Sequence, residues 1–238
     1  MTIAQHALLN SAAGTNQVTL SASGGTFNAN GDVETYVLAG TSNIITLTDA
    51  GQSVNTGSGG GNTVDVAALT ATGTFTTQTS DIIKLSDTAN IAGISSGAAF
   101  TATNLTLASG GSASMTRDQN NSFTGTLSVA GTNTLTMTTV GAVTALAGIE
   151  TYVLAAGAQT ITLADAGQKV TANSTGSSGL ITIDTGTSLT SVTGTFTSAG
   201  NDTMKLLLGH TTGVDISTVN MAAVDNVGLG TDAKATMT

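Results

Sequence analysis

The residue types that carry most enzyme chemistry are scarce in this chain. His6 and His210 are its two imidazoles, and its 238 residues include no Cys. General acid–base and nucleophilic catalysis need such groups close together, with a partner that orients them. The stretch Gly93–Gly97 fits the pattern Gly-x-Ser-x-Gly, but no helical pattern follows it, which favours a turn. The sequence therefore predicts a protein that is not an enzyme.

Acidic residues recur in equivalent turns and offer a second kind of chemistry. Asp49 and Asp165 both begin an Asp-Ala-Gly-Gln segment, and Glu34 and Glu150 are the only two Glu residues. Carboxylate oxygens are ligands that Ca²⁺ prefers. An Asp in a turn also accepts hydrogen bonds from neighbouring backbone N–H groups. We expect the turn role for these residues, with a calcium site as the alternative.

The recurrence reflects an internal duplication. Residues 34–54 and 150–170 share 14 identities in 21 positions at a constant offset of 116. Such self-similarity is typical of repeat architectures. Further matching segments are Ala13–Asn16 with Ala130–Asn133, Thr72–Thr76 with Thr193–Thr197, Asp81–Leu85 with Asp202–Leu206, and Asn104–Leu107 with Asn226–Leu229.

The duplication also predicts where the copies meet. Ser114–Thr116 aligns with Thr236–Thr238, so the sequence ends where its first copy passes to its second. We predict one repeat unit at 1–116 and a second, continuous with it, at 117–238. The two ends of the chain are then in phase with the repeat and uncapped. Each end exposes the edge of a coil, whose backbone groups are unpaired. Pairing between chains is expected at Met1, Thr2, Ile3, Thr236, Met237 and Thr238.

Short alternating apolar runs between glycine-rich turns predict an all-β fold. Period-two patterns such as Ile45-Thr-Leu47 and Ile161-Thr-Leu163 indicate strands, and their centres recur every 9 to 14 residues or so. Slim core residues, seven aromatics and copies without a linker favour a β-solenoid of the parallel β-helix type. Two β-sandwich domains are the alternative. Ala142–Ile149 is the best helical candidate.

Composition excludes several partners. Five basic residues against fourteen acidic ones give a net charge of −9, which leaves no basic surface for nucleic acid or for anionic lipid. No stretch approaches the roughly 20 apolar residues of a spanning helix, so we expect no membrane insertion. The lack of Cys fits an exported protein that avoids redox-sensitive groups.

Two sets of residues carry a family resemblance. Ser198–Met204 resembles one copy of the glycine-aspartate nonapeptide of RTX calcium-binding proteins. Val33–Leu38 and Ile149–Leu154 look like the β-strand repeats of bacterial S-layer and RTX-type surface proteins. The resemblance implies calcium held by Asn201 and Asp202 and, in the first copy, by Asp81. It also implies an extracellular or cell-surface protein, secreted by a type I route without an N-terminal signal peptide.

Taken together, these patterns predict an extracellular structural protein that assembles with itself, head to tail, into a filament or surface layer. One alternative is a fragment of a larger adhesin or S-layer array. Another is a secreted β-helix protein that binds a cell-surface glycan or acts on a polysaccharide, with Arg117 and Asp118 as a conceivable start of a site. Ice binding by Thr-x-Thr strings such as 132–139 is disfavoured, because the strings do not recur once per turn.

Overall fold

The chain is nearly all-β, and its parallel strands form a β-solenoid with about ten turns in total. The computed structural model describes residues 1–10, 14–94, 100–173, 179–199 and 202–236. The chain divides into two compact units, 1–114 with 122–131 and 115–121 with 132–238. Residues 122–131, in the first part of the second sequence copy, thus belong to the first unit, whereas 117–121 belong to the second. The boundary between sequence copies at 116/117 stays a prediction.

The first unit begins with a short helix, and short strands make up most of the rest. Its elements are α1 (Ile3–His6), β1 (Gln17–Leu20), β2 (Thr26–Asn28), β3 (Thr35–Leu38), β4 (Ile44–Thr46), β5 (Ser53–Asn55), β6 (Thr63–Asp65), β7 (Phe75–Thr76), β8 (Ile82–Leu85), β9 (Ala89–Asn90), β10 (Asn104–Leu107), β11 (Ser112–Met115, the last residue being in the second unit) and β12 (Leu127–Ser128).

The second unit repeats this organisation. Its elements are α2 (Arg117–Ser122, the last residue being in the first unit), β13 (Thr134–Met137), β14 (Ala142–Thr144), β15 (Thr151–Leu154), β16 (Gln159–Thr162), β17 (Lys169–Asn173), β18 (Leu180–Asp184), β19 (Phe196–Ala199), β20 (Thr203–Leu208), β21 (Val214–Asp215), a 3₁₀ helix (Met221–Ala223), β22 (Asn226–Leu229) and β23 (Ala235–Thr236).

Successive strands alternate between two parallel sheets, so that one coil contributes one strand to each. In the first unit the orders are β1-β3-β5-β7 and β2-β4-β6-β8-β10-β12. In the second unit β13, β15, β17 and β19 pair in that order, as do β14, β16, β18, β20 and β22. Residues that alternate along each strand face inward and stack on the same position of the next coil, as the period-two sequence pattern predicts.

The core therefore consists of ladders of inward side chains. In the first unit one ladder runs through Phe27, Ile45, Val64, Ile83 and Leu105, all of them buried. Burial of each such side chain contributes about 1.5–3 kcal/mol. Coils differ in length: Gln17 pairs with Thr35, a step of 18 residues, whereas Val170 pairs with Phe196, a step of 26. The duplicated unit thus spans several coils, and insertions enlarge the turns.

The secondary structure differs from the sequence prediction at the expected helix and at two short helices that were not predicted. Ala142–Thr144, the start of the best helical candidate, is strand β14, because Val143 stacks inward against Ile161. The short helices α1 and α2 have no extended helical periodicity in the sequence, since each is a single capped turn or slightly more. None of the helices in the described ranges has the length and apolarity needed to span a membrane.

The repeated segment Thr-Gly-Thr-Phe-Thr has a steric explanation. A Cβ on Gly73 would lie 1.9 Å from the carbonyl oxygen of Gln52, and a Cβ on Gly194 would lie 2.0 Å from that of Gln168. Real Cβ atoms do not approach backbone so closely, so only glycine lets the two coils meet. The Phe two positions later, Phe75 or Phe196, is buried in the core.

We expect Gly73→Ala and Gly194→Ala each to lower the free energy of unfolding by about 1–3 kcal/mol, because the added methyl group forces two coils apart. Denaturant unfolding monitored by circular dichroism measures the loss. Gly31→Ala is the matched control, since a Cβ there meets nothing within 4 Å. Equal stability of all three variants would show that the close approach is unimportant.

Candidate functional site

Asp81, one of the residues expected to bind calcium, is fully buried and surrounded by hydrogen-bond donors. Its Oδ1 accepts from the N–H of Asn62 at 2.8 Å. Its Oδ2 accepts from the N–H of Gln78 at 2.6 Å and from the Thr56 hydroxyl at 2.5 Å. The carboxylate thereby joins two neighbouring coils and a turn. Lys84, three residues on, instead pairs with Asp65 at 2.6 Å.

Asp202, the equivalent residue of the second copy, is also buried and joins coils. Its Oδ1 accepts from the N–H of Gly179 at 2.9 Å. The neighbouring residue that the RTX resemblance adds to the site, Asn201, lies outside the described residues, as do Met237 and Thr238. Both copies therefore use this Asp as an acceptor for a backbone N–H from the preceding coil.

The duplicated turn Asp-Ala-Gly-Gln is organised by its Gln rather than by its Asp. The Gln52 side chain is buried, and its Oε1 accepts from the N–H groups of Thr48 at 2.9 Å and Asp49 at 3.0 Å. Its Nε2 donates to the carbonyls of Asn30 at 2.8 Å and Val33 at 3.1 Å. One amide thus satisfies four backbone groups on two coils.

Gln168 makes the same four hydrogen bonds in the second unit. Its Oε1 accepts from the N–H groups of Ala164 at 2.7 Å and Asp165 at 3.1 Å. Its Nε2 donates to the carbonyls of Leu146 and Ile149, both at 2.9 Å. Asn and Gln amides are among the few side chains that donate and accept at once, which explains the identity of this position in both copies.

The acidic residues of these turns differ between the copies. Asp49 accepts from the N–H of Gly51 at 3.1 Å in its own turn, whereas Asp165 accepts from Gly148 on the neighbouring coil at 2.7 Å. Asp165 and Glu150 line a cavity of about 160 Å³. Within the described ranges, no three His, Asp or Glu side chains come together as a metal site. The calcium site stays a prediction.

The N-terminal end of the first unit is covered by its own chain, which differs from the uncapped end expected from the sequence. The Met1 ammonium donates to the carbonyl of Thr19 at 2.6 Å, and the Met1 carbonyl accepts from the N–H of Ser21 at 3.2 Å. The Ile3 side chain occupies the space where a Cβ of Gly25 would lie. Thr2 and Gln5 close a capping box that starts α1.

His6, on the same helix, is buried in an aromatic cluster. Its ring contacts Phe27 and Tyr36 at centroid distances of 5.0 and 5.6 Å, and its Nε2 lies 3.0 Å from the Tyr36 hydroxyl. The hydroxyl also accepts from the N–H of Asn30 at 2.6 Å. Burial lowers the pKa of His6 and raises the pKa of Tyr36. The imidazole is thus a structural group that fastens α1 to the first coils.

The same arrangement occurs at the predicted boundary between the two copies. Thr116 and Gln119 exchange the same pair of hydrogen bonds as Thr2 and Gln5, and the Met115 carbonyl accepts from the N–H of Thr138 at 2.9 Å. Tyr152, the counterpart of Tyr36, has Asn120 where Tyr36 has His6. Burial raises the pKa of Tyr152. The same Met-Thr-x-x-Gln helix, packed near a buried Tyr, thus occurs at the start of the chain and across the predicted copy boundary at 116/117.

The last strand of the second unit's five-stranded sheet is exposed on its inward face. Val227 stacks on Leu206 and Leu229 stacks on Leu208, and both underlying Leu residues are fully buried. Val227 and Leu229 are themselves 39% and 57% exposed. In the first copy the matching residues, Leu105 and Leu107, are 0% and 4% exposed, because β12 follows β10. Thr236 lies on β23, which pairs with β21.

Sequence reasoning missed several residues that organise these sites. From the sequence, His6 stands out only as a candidate for catalysis, and Gln52 and Gln168 stand out only as part of a duplicated string. Their identity at equivalent turns was the available signal, because a Gln is required there only if both ends of its amide are bonded. The exposed β22 edge had no sequence signal, since its residues alternate like those of any buried strand.

No known protein family, curated protein or solved structure matches this chain.

Replacing Gln168 by Leu should destabilise the protein by about 3 kcal/mol, because it removes four hydrogen bonds and leaves backbone groups of Ala164, Asp165 and Ile149 without this partner, at about 1–3 kcal/mol for each buried one. Urea unfolding measures the change. Gln17→Leu is the control, since Gln17 is exposed on β1. A Gln168→Leu protein as stable as the control would contradict this role of the Gln168 amide.

Because burial lowers the pKa of His6 below its usual 6.5, the unfolded chain binds this proton more tightly than the folded chain. The contribution of neutral His6 to stability is therefore present at neutral pH and lost as the pH falls through about 6.5. We expect His6→Asn, which installs the residue of the second copy, to flatten the fall in melting temperature between about pH 7.5 and 5.5.

His210→Asn is the control for this variant, since it removes the other imidazole. An unchanged pH dependence in His6→Asn would show that His6 is not the titrating group.

Proposed function

We propose that this protein is a structural β-solenoid that assembles with itself head to tail through the open edge of β22. The observation that carries the proposal is the exposure of Val227 and Leu229 at positions that face the core. The matching residues of the first copy are buried beneath a further strand. The tail of the second unit thus presents a coil surface of the kind that the protein covers elsewhere.

Both the backbone and the side chains of β22 favour a contact with another chain. A parallel strand at the edge of a sheet carries N–H and C=O groups that recruit another strand. Covering Val227 and Leu229 contributes about 1.5–3 kcal/mol for each side chain, before the cost of association. A contact between two different surfaces of identical chains repeats without closing unless the rotation forms a ring. A filament or a surface layer is the expected product.

The proposed setting is extracellular. The chain has no Cys to oxidise, few charged residues and many hydroxyl side chains, which suit an exposed structural material. Its resemblance to S-layer and RTX-type surface proteins supports the same setting, and export by a type I route is part of the proposal. We expect calcium bound at the acidic turns to strengthen assembly.

The aromatic residues favour a structural role over glycan binding. Sugar sites commonly use exposed aromatic faces, yet all seven aromatic side chains are buried, namely Phe27, Tyr36, Phe75, Phe100, Phe123, Tyr152 and Phe196. They are used in the solenoid core and its caps. A larger adhesin array would use the same edge, with a further coil of a longer chain in place of the second copy.

Lysine at both exposed positions, Val227→Lys with Leu229→Lys, should abolish assembly while leaving the monomer folded, because each ammonium would have to be buried without a partner at the contact. Negative-stain electron microscopy and light scattering of concentrated protein, with calcium and with a chelator, measure assembly. Circular dichroism checks the fold.

Leu180→Lys is the matched control, since Leu180 is 49% exposed on the central strand β18. This variant should assemble like the parent chain. Assembly of the double lysine variant at the parent level would contradict the role of β22. A parent chain that stays monomeric both with calcium and with a chelator would contradict the proposed function.

A further inference from the structure

The chain itself shows what covers a strand like β22. In the first unit, β12 lies on β10, with Leu127 opposite Leu105 and Ser128 opposite Thr106. The N–H of Leu105 donates to the carbonyl of Thr126 at 3.0 Å. The covering segment, 123–131, follows α2 directly in the sequence and is the start of the second copy. The start of one copy therefore covers the end of the copy before it.

The covering segment is held by side chains as well as by backbone. The Phe123 ring is buried edge-on against Phe100, with 6.0 Å between centroids. The Asn104 Oδ1 accepts from the N–H of Thr126 at 2.8 Å. The counterpart of Asn104 is Asn226, the first residue of β22, which is exposed. β22 therefore carries an exposed Asn at the position whose side chain holds the covering strand in the first unit.

The first copy has a corresponding segment after its helix α1, and that segment is exposed. The helices α1 and α2 share the Thr-x-x-Gln capping box and the preceding Met carbonyl contact. The residues after α1 are Ala7–Asn10, and the side chain of Leu8 is 79% exposed. His6 is the buried residue of α1, so Leu8, two positions later, lies uncovered at the edge of this cap.

We propose that Ala7–Asn10 of a second copy covers β22, with Leu8 packed against Val227 and Leu229. This inference rests on the proposed self-assembly and names the surface of the second copy that makes the contact. The segment after α1 takes the place that 123–131 takes on β10. The N–H groups of Ala7, Leu8 and Leu9 already donate to carbonyls of α1, so Asn226 accepts from the N–H of Asn10. Both partners contribute exposed apolar side chains, and neither contributes a charged residue at these positions.

Cross-linking can test the contact cleanly because the chain contains no Cys. Leu8→Cys with Leu229→Cys in one chain, treated with a short bismaleimide, should give a ladder of covalent dimers, trimers and larger species. Either single Cys variant can give at most dimers. Leu8→Cys with Leu180→Cys is the matched control for random collision, because Leu180 is similarly exposed but lies on a central strand.

The outcomes separate this inference from the proposed function. A ladder well above the control pair supports both. Assembly seen by light scattering, with cross-linking no greater than in the control, overturns the role of Ala7–Asn10 but leaves self-assembly through β22 standing. Monomers in light scattering and no excess cross-linking overturn both.

A paired experiment blocks growth and fixes the direction of the contact. One chain carries Leu8→Cys with Val227→Lys and Leu229→Lys, and its partner carries Leu229→Cys with Leu8→Lys. Their mixture should yield covalent heterodimers and nothing larger, because each chain keeps one working surface. Cross-linked homodimers of either chain, in place of heterodimers, would contradict the head-to-tail contact.

Discussion

Each coil of this solenoid depends on the next coil for its backbone hydrogen bonds and for the burial of its inward side chains. The dependence is visible in the ladder from Phe27 to Leu105, where every member rests on the same position of its neighbours. Unlike a closed barrel, such a stack always has two terminal coils that lack a neighbour. Among the described residues, the first unit covers its first coil with α1, His6 and Ile3, whereas β22 of the second unit is exposed. This asymmetry is the basis of the proposed assembly.

Polar side chains inside the stack serve the same need. Gln52 and Gln168 complete the hydrogen bonds of turns where the coil changes direction, and Asp81 and Asp202 accept N–H groups from the preceding coil. Buried polar groups are tolerated only when they are bonded, so these residues also fix the register of the coils. Their recurrence in both copies follows from structure and requires no shared ligand.

The sequence predicted the fold class well, because period-two apolar runs and glycine turns report directly on stacked strands. The duplicated strings also marked equivalent turns. The sequence could not predict the role of Gln168 or the need for glycine at position 194, since both depend on contacts with a coil distant in sequence. The capping role of His6 was hidden for the same reason. Exposure of Val227 depends on the absence of a neighbour among the described residues, and a strand's own residues carry no signal of that.

Hydrogen exchange of the parent chain at low and high protein concentration tests the central claim most directly. The account predicts that the amides of 224–230 and of 7–10 become protected as the concentration rises, while those of the central strand β18 do not change. Protection that is independent of concentration at both segments, in protein that nevertheless assembles, would contradict assembly through β22.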